Sequence, residues 1–451
     1  MILQKLLFPS VDVCSREQMY YTGENTTIFM TGESCYIPAG ATLRANTYFN
    51  SFSVAKWTKY TAVSNLNLRL NVTGDLRIRV WHACKMNGKL REKVITENRI
   101  TAETRQDVVI SLPLGENTGV YYFDMKAVGD GAYLWGGAYE TEIDEDKLAP
   151  VKIAIGICTF RREPYVAHNM DVLRQHILEN ENSPMHGHLE VFISDNSKTL
   201  PASIATEQIH VFPNRNLGGA GGFAFGMRKA LEGDYSYAWL MDDDSMPEKD
   251  ALESLVRKAE LVRDEFSFMT SLVYWTDNNV FPMNYPIFDS KNIIKTPCNY
   301  LRDYKLVPIS VCSFVGCFVN LQVAEKVGLP IAEFFIYADD VEYTRRLNRQ
   351  KPAYLDMDSA ILHKAPSNQG ADIVTAGADR IERFYHQSRN GMYVARKNKM
   401  VLKRFVKVAK RFVKVILRSP DHKAKRIWML VKGTAAGFFF NPPIQYVTRG
   451  K

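Results

Sequence analysis

The chain has 451 residues and a formal net charge of +8, with 46% hydrophobic and 24% charged residues. This is the composition of a globular protein of two or three domains, and it excludes a disordered chain, a collagen or a disulfide-stapled miniprotein. No run of about 18 uninterrupted apolar residues occurs, so no membrane-spanning helix is expected.

The opening MILQKLLFPS is soon broken by Pro9 and is not expected to act as a secretory signal. Seven cysteines, none in a C-x-x-C pair, read as reduced thiols of a cytosolic protein. On that reading the sequons at Asn25 and Asn71 carry no meaning. Between Arg396 and Lys432 there are 14 Lys or Arg and one acid, Asp421, so that segment carries +13 and the remainder −5. The basic character is local. A nucleic-acid partner is therefore not expected, and a basic surface at one end is.

In chain order, residues 1–150 read as a β-sandwich. Asn67–Val72 and Leu76–Trp81 alternate at period two, as half-buried strands do. The aromatic runs Tyr121-Tyr122-Phe123 and Tyr133-Leu134-Trp135 fit its core, and sugar stacking is the other reading. An acidic stretch from Glu140 to Asp146 ends at Pro150, the first expected domain boundary.

Val151–Cys158 is then a near-continuous apolar strand of the kind buried in a parallel sheet. A helix is expected from about Val166 to Asn180. Further strands are Leu189–Ser194, Ile209–Phe212 and Tyr237–Met241, and a helix follows over Glu248–Arg263, with Pro247 near its first turn. Strands alternating with helices predict an α/β layer fold over 151–385, with ligands bound past the strand ends. Residues 386–451 read as a basic amphipathic helical region. Val401, Leu402, Phe405, Val408, Phe412, Val415 and Ile416 lie near one stripe, and lysines and arginines crowd the other positions. Such a helix either packs on the domain or lies on an anionic bilayer.

Four motifs carry chemistry. Asp242-Asp243-Asp244 directly follows an apolar strand. In extended backbone Asp242 and Asp244 point the same way, and two like charges that close need a cation. Hard ions such as Mg²⁺ or Mn²⁺ take oxygen ligands and bridge to phosphate. An acidic turn capping the next helix is the alternative. Asn216-Leu217-Gly218-Gly219-Ala220-Gly221-Gly222 has four glycines in five positions, which suits either close approach to a ligand or tight helix packing. Asp339-Asp340-Val341-Glu342 opens a helix, either as caps or as a general base in a cleft. His363 follows an apolar run and gains interest only if it completes a metal shell with Asp242 and Asp244.

Taken in order, these pieces resemble the GT-A glycosyltransferases of the large inverting family 2, and within it the bacterial galactofuranosyltransferases of the mycobacterial kind. The resemblance runs over nearly the whole chain. Asn216–Phe223 and Ala338–Tyr343 are its most specific portions. It implies an N-terminal β-sandwich, a GT-A catalytic domain and C-terminal helices. Thr159, Phe160, Arg161, Asp195 and Asp243 would hold the nucleotide, and Asn216, Gly218 and Gly219 would approach the donor sugar. Asp242, Asp244 and His363 would bind Mn²⁺ or Mg²⁺. Asp340 would be the catalytic base, with Asp339 orienting the acceptor. Phe314-Val315-Gly316-Cys317-Phe318 stands where the family carries a tryptophan-rich acceptor wall.

The expected activity is metal-dependent inverting transfer of galactofuranose from UDP-galactofuranose to a glycan or lipid-linked glycan acceptor. The expected location is the cytoplasmic face of the membrane, reached through the basic helices. Transfer of another sugar, such as rhamnose from dTDP-rhamnose, and an inactive carbohydrate-binding scaffold are the alternatives. Assembly into a homo-oligomer is left open.

Overall fold

The computed structural model describes the chain except for residues 10–16, 25–27, 31–33, 55–56, 58–62, 88, 116–117, 143–150, 263–264, 276–283, 285–305, 365–371 and 451. The sequon at Asn25, Cys14, Cys298 and the expected boundary at Pro150 fall outside the described residues. The five described cysteines are all free thiols.

The N-terminal part is built mainly of β-strands, as its period-two pattern requires, with one 3-10 turn at Glu17–Met19. Its strands are β1 (Ile2–Lys5), β2 (Thr22–Glu24), β3 (Phe29–Met30), β4 (Cys35–Pro38), β5 (Thr42–Arg44), β6 (Leu66–Met86), β7 (Lys89–Leu112) and β8 (Val120–Glu140). All eight are hydrogen-bonded into one antiparallel sheet, with β8 flanked by β6 on one side and by β1, β4 and β5 on the other. Alternation along β6 buries Leu66, Leu68, Leu70, Val72, Leu76, Ile78 and Val80 on one face. The register with β7 shifts between Val72 and Gly74, and the buried phase of β6 continues beyond it. A side chain at Gly74 would meet the Gly131 carbonyl at 2.6 Å. On the other face Asp124 is buried, because Arg79 grips both its oxygens (3.0 and 2.8 Å) and the Trp81 indole donates at 2.8 Å.

The second sheet has nine strands: β9 (Ile153–Thr159), β10 (Leu189–Asp195), β11 (Ile209–Pro213), β12 (Tyr237–Asp242), β13 (Ser245–Pro247), β14 (Phe268–Trp275), β15 (Leu306–Ile309), β16 (Cys317–Asn320) and β17 (Ala353–His363). The order β11-β10-β9-β12 is parallel throughout, as buried apolar strands joined by helices predict. Antiparallel β16 then joins this half to β14, β17 and β13. One apolar cluster runs from the N-terminal sheet into this one, taking in Leu66, Tyr139, Ile153, Ile155 and Trp239.

Helices α1 (Glu163–Leu173), α2 (Gly218–Glu232), α3 (Ala251–Leu261), α4 (Leu321–Val327) and α5 (Asp339–Asn348) connect the strands. The expected start of α3 at Glu248 is too early. Met246 and Pro247 pair with Leu362 and Ile361, and the Glu248 amide still donates to Ala360 at 2.9 Å, so the ladder holds this stretch extended. The helix expected to Asn180 is α1 followed by one π-helical turn, Arg174–Leu178. The expected helix end at Arg263 lies outside the described residues.

Three helices close the chain: α6 (Phe384–Lys397), α7 (Val401–Arg418) and α8 (Lys423–Phe439). Helices α6 and α8 touch backbone to backbone, since a Cβ at Gly433 or Gly437 would lie 2.5 Å from a carbonyl of α6. The predicted apolar stripe of α7 divides. Val408, Phe412 and Val415 turn inward with Arg404 and Arg411, whose guanidinium groups donate to the Gln387 carbonyl (3.0 Å) and the Gln387 amide oxygen (2.7 Å) of α6. Leu402, Phe405, Val406, Val413, Ile416 and Leu417 face outward, Leu402 and Leu417 more than 70% exposed. Among the described residues no helix is long and apolar enough to cross a membrane.

Candidate active site

Parallel register brings the site together. Thr159 pairs with Asp195 and Cys158 with Asp242, so the carboxyl ends of β9, β10 and β12 lie side by side. Asp243 and Asp244 form the turn between β12 and β13, so that turn, rather than strand alternation, gathers the acids. Antiparallel pairing of Ser245 with His363 then delivers the imidazole. Its Nε2 is 3.1 Å from Asp244 and 3.9 Å from Asp242. One ligand atom from each of Asp242, Asp244 and His363 lies within 4.8 Å of the others.

Two carboxylates and an imidazole form an O,O,N donor set for a divalent cation. The electrostatics agree with that fit. Burial first, and the charge of Asp244 second, push the Asp242 carboxyl up to about 6, a crowding that a cation relieves. Asp244 goes the other way: burial opposes it, but His363 and Arg162 hold it below the usual carboxylate range. His363 is raised in turn, the two carboxylates outweighing its burial. The Asp242 side chain keeps 39% exposure, so the donor set is open to solvent on its side.

Asp243 is turned into the protein. Its side chain accepts from Thr159 Oγ1 at 2.8 Å, its carbonyl accepts from Asn169 at 2.9 Å, and burial pushes its carboxyl up to about 7. Both oxygens of Asp195 are engaged by its own loop: the amides of Ser197, Lys198 and Leu200 donate at 3.0, 2.8 and 3.0 Å. Against its burial, these bonds hold its carboxyl below the ordinary value. Phe160 is exposed, with the Arg161 guanidinium over its ring at 5.3 Å.

The glycines serve packing as well as access. Gly218 has φ +66°, and a Cβ there would lie 2.1 Å from the Phe335 carbonyl. A Cβ at Gly222 would meet Cys158 Sγ at 2.2 Å, which locks α2 against β9. Gly219 faces open space, and Asn216 accepts from the Gly218 amide at 3.0 Å.

Asp339 and Asp340 open α5, near enough to the acidic turn for the charge of Asp242 to reach Asp340. Burial pushes Asp339 up to about 6. Burial, with Asp339 and Asp242 adding repulsion, pushes Asp340 up to about 8. The Val341 amide donates to Asp340 at 2.7 Å. Phe314, Val315, Cys317 and Phe318 are core residues, Phe314 packing on Phe223 and Tyr343.

The sequence reading missed Arg162, which bonds Asp244 and lies 3.5 Å from Asp243. It also missed Asn169. Neither stands in a motif; only the proximity of Arg162 to Thr159-Phe160-Arg161 hinted at it.

A sheet that switches from parallel to mixed beside an Asp-x-Asp turn, with a histidine returned from a late strand, is the GT-A nucleotide-sugar transferase arrangement. Residues 154–327 match the family model for glycosyl transferase family 2, and residues 3–139 match that for the galactofuranosyltransferase 2 N-terminal domain. In both parts the chain is thus similar to galactofuranosyltransferases and to glycosyl transferase family 2. Galactofuranosyltransferase GlfT2 of Mycobacterium tuberculosis is 25% identical over 377 residues, 75% of this chain and 57% of that relative. Galactofuranosyltransferase GlfT1 of the same species is 29% identical over 224 residues, 47% of this chain and 70% of that relative. The chain thus spans a little over half the length of the former. A solved structure of GalNAc-T7 with UDP, GalNAc and Mn²⁺ aligns with a TM-score of 0.39 and 11% identity, covering 56% of this chain and 49% of that one.

Proposed function

We propose that the protein transfers galactofuranose from UDP-galactofuranose to a hydroxyl of a glycan acceptor, with inversion at the anomeric carbon. The observation that carries this is the clustering of Asp242, Asp244 and His363, with Asp340 near enough to feel the charge of Asp242. Asp340 accepts the proton of the acceptor hydroxyl as that oxygen bonds to the anomeric carbon and the bond to UDP breaks. Asp339, beside it, orients the acceptor. A divalent cation held by Asp242, Asp244 and His363, Mn²⁺ or Mg²⁺, would act as a Lewis acid toward the departing diphosphate. Phe160 offers a ring face to the base. Asp195 shapes the loop over it, Asp243 and Thr159 brace the acidic turn, and Asn216 with Gly218 and Gly219 borders the donor sugar.

The outward face of α7 supports a place on the inner membrane surface. Leu402, Phe405, Val413 and Leu417 are exposed there beside Lys403, Lys407, Lys410 and Lys414. An apolar stripe flanked by cations suits the headgroup region of an anionic bilayer, where a lipid-linked acceptor would be met.

The test is a donor screen: purified protein, Mn²⁺, and UDP-, dTDP- and GDP-sugars, with nucleotide release and transfer followed with and without EDTA. Metal-dependent turnover of UDP-galactofuranose alone is the expected result. Turnover of dTDP-rhamnose instead would replace the sugar. Neither turnover nor binding of any donor would favour a scaffold.

A further inference from the structure

The acidic pair is presented by an unusual stretch of backbone. Phe335 has φ +64° and ψ −55°, and the Ile336 amide donates to the Phe334 carbonyl at 2.7 Å, which is a positive-φ γ-turn. Tyr337 and Ala338 also have positive φ, at +71° and +64°. Three non-glycine residues in this region within four positions cost of order 1–3 kcal/mol each unless the surroundings over-determine them. Asp339 follows immediately.

The restraint comes from α6. Asn390 is fully buried, and its Nδ2 lies 2.9, 3.0 and 2.9 Å from the carbonyl oxygens of Phe334, Ile336 and Tyr337. Its Oδ1 accepts from Arg389 Nε at 3.0 Å, which fixes the orientation of the amide. Arg389 Nη2 donates to the Glu333 carbonyl at 2.6 Å. The Phe335 carbonyl in turn accepts from the Ala220 amide at 3.2 Å, so the turn is pinned to the glycine-rich start of α2.

We infer that Asn390 is a positioning residue for the reaction: its amide clamps the Phe334–Tyr337 turn and so sets where Asp339 and Asp340 stand relative to Asp242 and Asp244. Residues holding a base in its productive geometry act on the rate of chemistry more than on ground-state binding. This inference rests on the base role proposed for Asp340.

The experiment compares wild type with Asn390→Asp, Asn390→Ala and the milder Arg389→Gln in the full chain. Transfer kinetics, UDP affinity with Mn²⁺, Tm and hydrogen exchange over residues 334–342 are measured. Expected are a kcat lowered about 100-fold in the Asn390 variants, a smaller loss in Arg389→Gln, and a donor KM and UDP affinity within about twofold of wild type. Faster exchange confined to 334–342 is expected alongside. Unchanged kcat with unchanged exchange overturns the inference. So does a parallel fall of kcat, UDP affinity and Tm, which marks Asn390 as a general core residue. Should the two Asn390 variants fail to fold, full activity in Arg389→Gln with unchanged exchange overturns it as well. A wild type without transferase activity refutes the proposed function instead, while local loss of protection would still report the clamp.

Discussion

His363 Nε2 lies 3.1 Å from Asp244 Oδ1 across 119 residues of sequence. The pairing of Ser245 with His363 in the β13–β17 ladder creates this contact, and with it the third donor of the proposed cation site. A strand of three residues therefore decides whether the acidic turn gains an imidazole as third donor.

The first prediction follows from that contact. His363→Ala and Asp242→Asn each remove a donor from the three-ligand set, so Mn²⁺-dependent UDP affinity should fall by more than about 100-fold. Isothermal titration with Mn²⁺ and UDP measures it. Wild-type affinity in both variants would place the cation elsewhere.

Asp340→Asn should lower kcat by about 10²–10⁴-fold while UDP and Mn²⁺ still bind. The pH profile gives a second reading. A carboxyl pushed up to about 8 is mostly protonated at neutral pH and becomes a base only as pH rises through that value. Wild-type kcat/KM should therefore climb from pH 6 to 9, and the residual rate of the variant should lose that limb.

Lys258 is buried between Asp356, also buried, at 3.5 Å and Asp358 at 2.8 Å, which ties α3 to the strand that ends at His363. Lys258→Met strands the Asp356 charge and should destabilise the fold by about 3–5 kcal/mol. Burial already pushes the Asp356 carboxyl upward. Without the ammonium it titrates higher still, so the deficit should shrink as pH falls and the carboxyl takes up its proton. Urea denaturation at pH 5 and pH 8 compares the two; an equal deficit at both would contradict this account.

Leu402, Val413 and Leu417 are exposed on α7 and support no described core. Replacing all three with Gln should leave Tm within a few degrees and cut co-sedimentation with anionic liposomes at least tenfold, since each buried leucine is worth about 1.5–3 kcal/mol. Unchanged sedimentation would remove the membrane reading of this helix.

Much of the site is legible in the sequence because its signals are local. Asp242, Asp243 and Asp244 follow an apolar strand directly, and Asp339-Asp340 opens a helix. Arg162, Asn169 and Asn390 carry no such mark. Asn390 looks like any polar residue of a basic helix, and only the three carbonyls turned toward it give it a role. The inner face of α7 departs from its sequence pattern for a related reason. Arg404 and Arg411 reach backbone and side-chain oxygens of α6, so arginines occupy positions that hydrophobicity alone assigns to leucine and phenylalanine.

The sequence by itself determined the parallel strands β9 to β12, the helices α1 and α7 and the acids at the strand ends, because apolar runs, helical patterns and turn residues act over a few positions. Tertiary structure alone decided that His363 meets Asp244, that Asn390 holds the turn before Asp339, and which side of α7 faces outward. Those depend on register and packing between segments far apart in the chain, where hydrogen bonds and burial, not local propensity, set the free energy.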